Sequence, residues 1–245
     1  MDLTERVVLV TGGARRVGRA IALRLAEAGS RIAVHYRSSA VEAAQTAEQC
    51  RAAGAVAEVF KADLADPAAA VKLVQGVRAR FGRLDVLVNN ASVFEPMTLD
   101  ELDLGRWEQT LRVNLTAPLV LAHAARDALR QARGRIVNLC DVATGRAWPD
   151  HLAYIVSKGA LETLTRVLAR ALAPEVNVVG LAPGVAAWPE HYDQPTREHL
   201  TRRIPLQRAG TPEEIAAAVH FLLREGDYIT GVILPVDGGY TMAKT

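Results

Sequence analysis

Val7-Val8-Leu9-Val10-Thr11-Gly12-Gly13-Ala14-Arg15-Arg16-Val17-Gly18 is the stretch from which the fold can be read. Its first four residues are apolar and mostly β-branched, the pattern of a short strand buried on both faces. A glycine-bearing turn follows and runs into the helical pattern of Arg16–Ala28. Glycine in a strand–helix turn can serve shape alone. It also lets the backbone approach a pyrophosphate, which then lies on the positive end of the helix.

What decides between these is the rest of the chain. Val7–Val10, Arg31–Tyr36, Val56–Lys61, Val86–Asn89, Arg135–Leu139, Val176–Leu181 and Val232–Val236 read as strands. Between them, Arg16–Ala28, Val41–Ala53, Pro67–Phe81, Leu104–Gln131, Leu152–Leu172 and Pro212–Leu223 read as helices or helix pairs. Regular alternation predicts a Rossmann-type α/β fold: a doubly wound parallel sheet of about seven strands with helices on both faces. Such sheets hold ligands at the carboxyl ends of their strands, so the first turn predicts a dinucleotide site. No repeat or linker interrupts the pattern, and one domain over residues 1–245 is expected.

Composition narrows the setting. Half of the residues are apolar and 23% are charged, which excludes disorder as the main state. A net charge of +2 gives no sign of nucleic acid. Cys50 and Cys140 are far apart and lack metal-ligand spacing, a pattern of reducing compartments without disulfides. No signal segment or membrane span is read, no metal site is expected, and the expected location is the cytoplasm.

The second strand ends His35-Tyr36-Arg37-Ser38-Ser39. A carboxylate there would hold a ribose 2′-hydroxyl. A cation and two hydroxyls, with Arg15 and Arg16 nearby, suit a 2′-phosphate and hence NADPH. Asp63-Leu64 after the third strand could flank an adenine, or Asp63 could cap the helix that follows. Asn89-Asn90-Ala91-Ser92-Val93-Phe94 closes the fourth strand with crevice-lining polar groups and one flat ring. Asn114 sits in an apolar helical stretch just before Pro118. A buried amide there needs partners, and at a helix distortion it could hold a water. Asn138-Leu139-Cys140-Asp141 brings an acid to a strand end. Tyr154 and Lys158, four residues apart, share one face of the next helix, a plausible proton-transfer arrangement.

Thr11-Gly12…Gly18, Asn89-Asn90-Ala91, Asn114, Tyr154…Lys158, Pro183-Gly184 and Asp237-Gly238-Gly239 together resemble the short-chain dehydrogenase/reductase family over nearly the whole chain. The resemblance implies a nicotinamide cofactor bound by Gly12, Val17, Gly18, Asn90, Ala91, Ser92, Pro183, Gly184 and Val185 with the residues above. It makes Tyr154 the proton donor, Lys158 a ribose ligand that lowers the tyrosine pKa, and Asn114 the anchor of a relay water. It also implies a homotetramer and a substrate-loop insertion near 185–210. Two departures stand out: Arg16 where the family usually has glycine, and Asp141 where it usually has serine. With His35-Tyr36 and Ser92-Val93-Phe94 they resemble the pteridine reductase branch. There Arg16 would reach both the cofactor phosphate and the pterin, and Ser92, Phe94 and Trp188 would contact the pterin. Lys244 would reach a neighbouring subunit's site.

An ionised aspartate would repel an alkoxide, whereas protonating a ring nitrogen calls for an acid. From a starting pKa of about 3.9, Asp141 needs burial to donate near neutrality. The expectation is therefore NADPH-dependent reduction of dihydrobiopterin, dihydromonapterin or dihydrofolate. The alternatives are a carbonyl reductase of the 3-oxoacyl thioester type and a non-catalytic NADPH-binding sensor.

Overall fold

The computed structural model describes residues 1–188 and 192–242. Seven strands form one parallel sheet: β1 (Val7–Val10), β2 (Arg31–Tyr36), β3 (Ala57–Lys61), β4 (Val86–Asn89), β5 (Arg135–Leu139), β6 (Asn177–Pro183) and β7 (Ile233–Val236). Their order across the sheet is β3-β2-β1-β4-β5-β6-β7. All four residues of β1 are fully buried, because alternate side chains enter opposite layers. Val8 and Val10 pack with α1 (Arg16–Glu27), α2 (Ala40–Ala52) and α8 (Pro212–Arg224). Val7 and Leu9 pack with α3 (Pro67–Phe81), α5 (Ala117–Ala132) and α6 (Leu152–Leu172).

Helix ends follow local chemistry. The Asp66 side chain accepts from Ala68 N at 2.8 Å to start α3, and Gly82 ends it at φ 78°. Asp63, the cap the sequence offered, instead accepts from Ala65 N in the preceding turn. Thr211 and Glu214 cap α8 reciprocally. By contrast, α1 begins with no side-chain cap and no acid in its first turn, leaving its N–H groups for an anion.

Two elements depart from expectation. Leu104–Gln131 is not one regular helix: α4 (Leu104–Leu111) passes through a π-helical turn, Arg112–Thr116, into α5. Pro118 has no N–H to offer the Asn114 carbonyl, so the α-helical ladder cannot run through this point. The stretch expected to be a substrate loop contains α7 (Gln194–Arg202), started by the Asp193 side chain on Thr196 N. Part of that loop, residues 189–191, and Lys244 lie outside the described residues.

Strand order reverses between β1 and β4. The two connections leave in opposite directions there, and a crevice opens at their carboxyl ends.

Candidate active site

Thr11 and Asn90 face each other across that crevice. Thr11 Oγ1 accepts from the backbone N–H groups of Asn90 and Ala91 at 2.9 and 3.0 Å. The Asn90 amide donates to the carbonyls of Thr11 and Gly12 at 2.9 and 3.1 Å. The glycine turn is thus tied to the end of β4. A Cβ on Gly18 would lie 2.2 Å from the Gly12 carbonyl oxygen, so no other residue fits there. Gly184 is held as closely: a Cβ would come within 2.8 Å of the Asp237 backbone.

His35 props the same turn from the other side. Its Nδ1 accepts from Gly12 N at 3.0 Å while Nε2 lies 3.2 Å from the Ala62 carbonyl. The ring is therefore the neutral Nε2–H tautomer, and burial depresses its pKa to about 4. His35, expected at the cofactor, is 2% exposed; it lines the cavity described next while its ring nitrogens meet the turn and Ala62.

Tyr36, Arg37, Ser38, Ser39, Asp63 and Leu64 join Gly12, Arg15, Ala91, Ser92 and His35 around a cavity of about 210 Å³. Two guanidinium groups, two hydroxyls and the uncapped end of α1 fit a phosphorylated ribose and a pyrophosphate. Arg16 goes elsewhere. Its φ of 51° is left-handed, which accounts for the usual glycine at this place, and its Nη2 donates to the carbonyls of Ala187 and Trp188 at 2.9 and 3.1 Å. It belongs to a second, larger cavity of about 450 Å³, together with Val17, Gly18, Asn90, Ser92, Phe94, Asp141, Tyr154, Pro183, Gly184, Val185 and Trp188.

Asp141 and Tyr154 meet in that cavity. Tyr154 Oη donates to Asp141 Oδ2 at 2.5 Å, and Asp141 Oδ1 accepts from Ala143 N at 2.8 Å. Burial raises the Asp141 pKa, outweighing the hydrogen bonds from Tyr154 and Ala143. The Tyr154 hydroxyl is pushed well above its usual value, first by burial and then by the Asp141 carboxyl. The expected lowering of the tyrosine pKa by Lys158 is therefore corrected. The lysine is itself buried, its ammonium is depressed by desolvation, and it donates to the Leu139 carbonyl at 2.6 Å. Its Nζ lies 5.7 Å from the centre of the tyrosine ring.

Asn114, in the π turn, accepts from Val93 N at 2.8 Å and gives its amide to Val93 O and Ser157 Oγ at 2.9 and 3.0 Å. Its side chain holds the β4 loop against α6. Phe94 from that loop stacks on His151 at 4.4 Å and meets the Tyr154 ring edge-on at 4.7 Å. The sequence reading gave no role to Ser157, His151, Trp148, Tyr192 and Tyr240. Nothing in their local pattern marks them, since each reaches the site through the fold of a distant segment.

Comparison with known proteins agrees with this geometry. Residues 12–241 match the family described as "Enoyl-(Acyl carrier protein) reductase". A "3-oxoacyl-[acyl-carrier-protein] reductase" of Synechocystis is 34% identical, with 98% of each chain covered. The "3-oxoacyl-[acyl-carrier-protein] reductase FabG" of Staphylococcus aureus is also 34% identical, over 99% of this chain and 100% of its own. Among solved structures, "FolM Alternative dihydrofolate reductase 1" from Brucella canis complexed with NADP superposes with a TM-score of 0.93 at 36% identity, covering 100% of this chain and 97% of that one.

These curated relatives overturn the expected pteridine substrate. Burial raises the Asp141 pKa, as expected of a proton donor. The same shift weakens the objection that an ionised aspartate would repel an alkoxide, so this residue by itself does not separate a pterin from a carbonyl substrate. By motif, fold and full-length similarity, the chain belongs to the short-chain dehydrogenase/reductase family.

Proposed function

We propose that this chain reduces the keto group of a 3-oxoacyl thioester to a hydroxyl. It is an NADPH-dependent oxidoreductase. The observation that carries the reading is the Tyr154–Asp141 pair, a hydroxyl hydrogen-bonded to a buried carboxyl on the wall of the larger cavity. The 3-oxoacyl reductase names of its full-length relatives support the substrate class.

When bound, NADPH supplies the hydride. The protein's own task is to receive the charge that develops on the carbonyl oxygen. Tyr154 keeps its proton at neutral pH and releases it to the alkoxide, a much stronger base than a phenolate. Asp141 stands where the family has serine, and in its acid form, which burial favours, it would give a second hydrogen bond to the same oxygen, as preorganised donors do in general. The Lys158 ammonium, fixed on Leu139 O, offsets charge arising on Tyr154. Arg15, Arg37, Ser38 and Ser39 would hold the 2′-phosphate, and Asp63 and Leu64 the adenine side. Asn114 keeps Ser92 and Val93 in place. The reading also includes a cytoplasmic homotetramer of single-domain chains whose 185–210 segment contacts substrate. Among the described residues, no helix is long and apolar enough to cross a membrane.

Consumption of NADPH with an acetoacetyl thioester is the test, with dihydrobiopterin and dihydrofolate in parallel. Turnover of the thioester is expected. Turnover of the dihydropterins alone would reject the assignment.

A further inference from the structure

The chain is poor in aromatic residues: three Trp, five Tyr and four Phe, twelve in all. Six of these line the larger cavity: Phe94, Trp148, Tyr154, Trp188, Tyr192 and Tyr240. Elsewhere in the described interior the buried aromatic is Phe81, packed against Phe60. The largest fully buried side chains are Leu, Ile and Met throughout, so the core is filled by aliphatic packing. The six come from separate segments: the β4 loop, the turn after β5, the start of α6, the chain after β6 and the C-terminal turn. Only folding brings them to one wall.

Their arrangement is also ordered. Phe94 is clamped between the face of His151, at 14° to its plane, and the edge of Tyr154, at 84°. The loop carrying it is joined to the start of α6 by Met97, whose N–H donates to Asp150 O at 2.8 Å and whose carbonyl accepts from Leu152 N at 3.0 Å. Tyr240 is buried to 4% exposure and lies under the Arg146 guanidinium, 4.6 Å from its ring centre. Trp188 and Tyr192 face each other at 6.4 Å. At about 450 Å³ the cavity is toward the small end of ligand sites, roughly 300–1,000 Å³, and it must hold the nicotinamide end as well as the substrate. A long straight acyl chain finds little room here, whereas a flat ring finds faces and edges.

We propose that the keto carbon of the preferred substrate carries an aromatic ring, making the substrate class compact 3-aryl-3-oxo thioesters rather than straight-chain 3-oxoacyl groups. This rests on the carbonyl-reductase reading and specifies the substrate of the same site. The chemistry is unchanged. The C=O carbon gains a hydride from NADPH, which leaves as NADP⁺, and the oxygen gains the proton from Tyr154, giving an aryl carbinol. Trp148 and Tyr192 are the specificity-determining residues, because they line the cavity outside the proton-transfer pair.

The test compares N-acetylcysteamine thioesters of 3-oxo-3-phenylpropanoate, acetoacetate, 3-oxohexanoate and 3-oxodecanoate with the full chain and NADPH. The phenyl substrate should exceed 3-oxohexanoate in kcat/KM by about tenfold, the scale of aromatic pairing beyond area burial. In Trp148→Leu and Tyr192→Leu the ratio between the two should fall toward one, whatever the absolute rates. The ratio in the unaltered protein is decisive even if a variant fails to fold. Equal or better turnover of the straight chains overturns the aryl preference and leaves carbonyl reduction standing. Failure of all four thioesters, acetoacetate included, overturns both.

Discussion

At the scale of single residues, Asp141 and Arg16 depart most from the family pattern, and each makes a different trade. Burial raises the Asp141 pKa, so its proton-donating form persists to higher pH than in an ordinary carboxyl and is lost as pH rises through that elevated value. Above that point it also places a charge beside the nascent alkoxide. The kcat profile of the natural protein should therefore fall on an alkaline limb, and Asp141→Ser should remove that limb while retaining turnover. An unchanged limb in the variant would show that Asp141 is not the titrating donor. Arg16 occupies a left-handed backbone conformation at φ 51°, a placement that costs a non-glycine residue about 1–2 kcal/mol. Its guanidinium offsets that cost by holding the carbonyls of Ala187 and Trp188. Arg16→Ala keeps the strain and loses the bonds; Arg16→Gly loses both. Calorimetry should find the glycine variant more stable than the alanine one by about 1 kcal/mol, with substrate KM raised several-fold in both. Equal stability of the two variants would mean that the backbone at this position is unstrained.

At the scale of elements, the glycine turn is held by its neighbours rather than by its own sequence. Thr11, Asn90 and His35 bind it from β1, β4 and β2, and His35 also reaches Ala62 beyond β3. The histidine's folded pKa of about 4 lies below its usual 6.5. The neutral ring therefore contributes stability that is present above pH 6.5 and lost as pH falls through 4. A difference of this size corresponds to about 3 kcal/mol at full expression. His35→Gln should show a flatter decline in melting temperature over that window than the natural protein, and a weaker affinity for NADPH. Parallel declines would place the titration elsewhere. The π turn at Arg112–Thr116 belongs to the same scale: Pro118 imposes it, and through Asn114 it fixes the loop that carries Phe94.

At the scale of the whole molecule, α5 and α6 leave apolar surface exposed. Val156 and Val167 are 43% and 57% exposed and lie three turns apart on one face of α6, and Leu119 on α5 is 46% exposed. Light scattering should give four chains per particle, and Val167→Glu should shift the mass downward; a natural protein that runs as a monomer would remove the tetramer from the proposal. Much of this molecule was legible in its sequence. β1, α3 and α6 could be read because apolar periodicity and the Pro67 signal are local, although the cap proved to be Asp66 and not Asp63. Gly12, Gly18, Tyr154 and Lys158 could be read because backbone approach and helical spacing admit few other residues. The burial of Asp141 could not, since it is set by segments remote in sequence, and taking an acid in the serine position as the mark of a pterin substrate led to the wrong substrate class. Nor could the aromatic wall, in which Trp148, Tyr192 and Tyr240 carry no local signal. Sequence by itself determined the sheet, the cofactor turn and the tyrosine–lysine pair. Tertiary structure alone decided how deeply Asp141 is buried and which side chains line the cavity, because desolvation and convergence are properties of the packed chain.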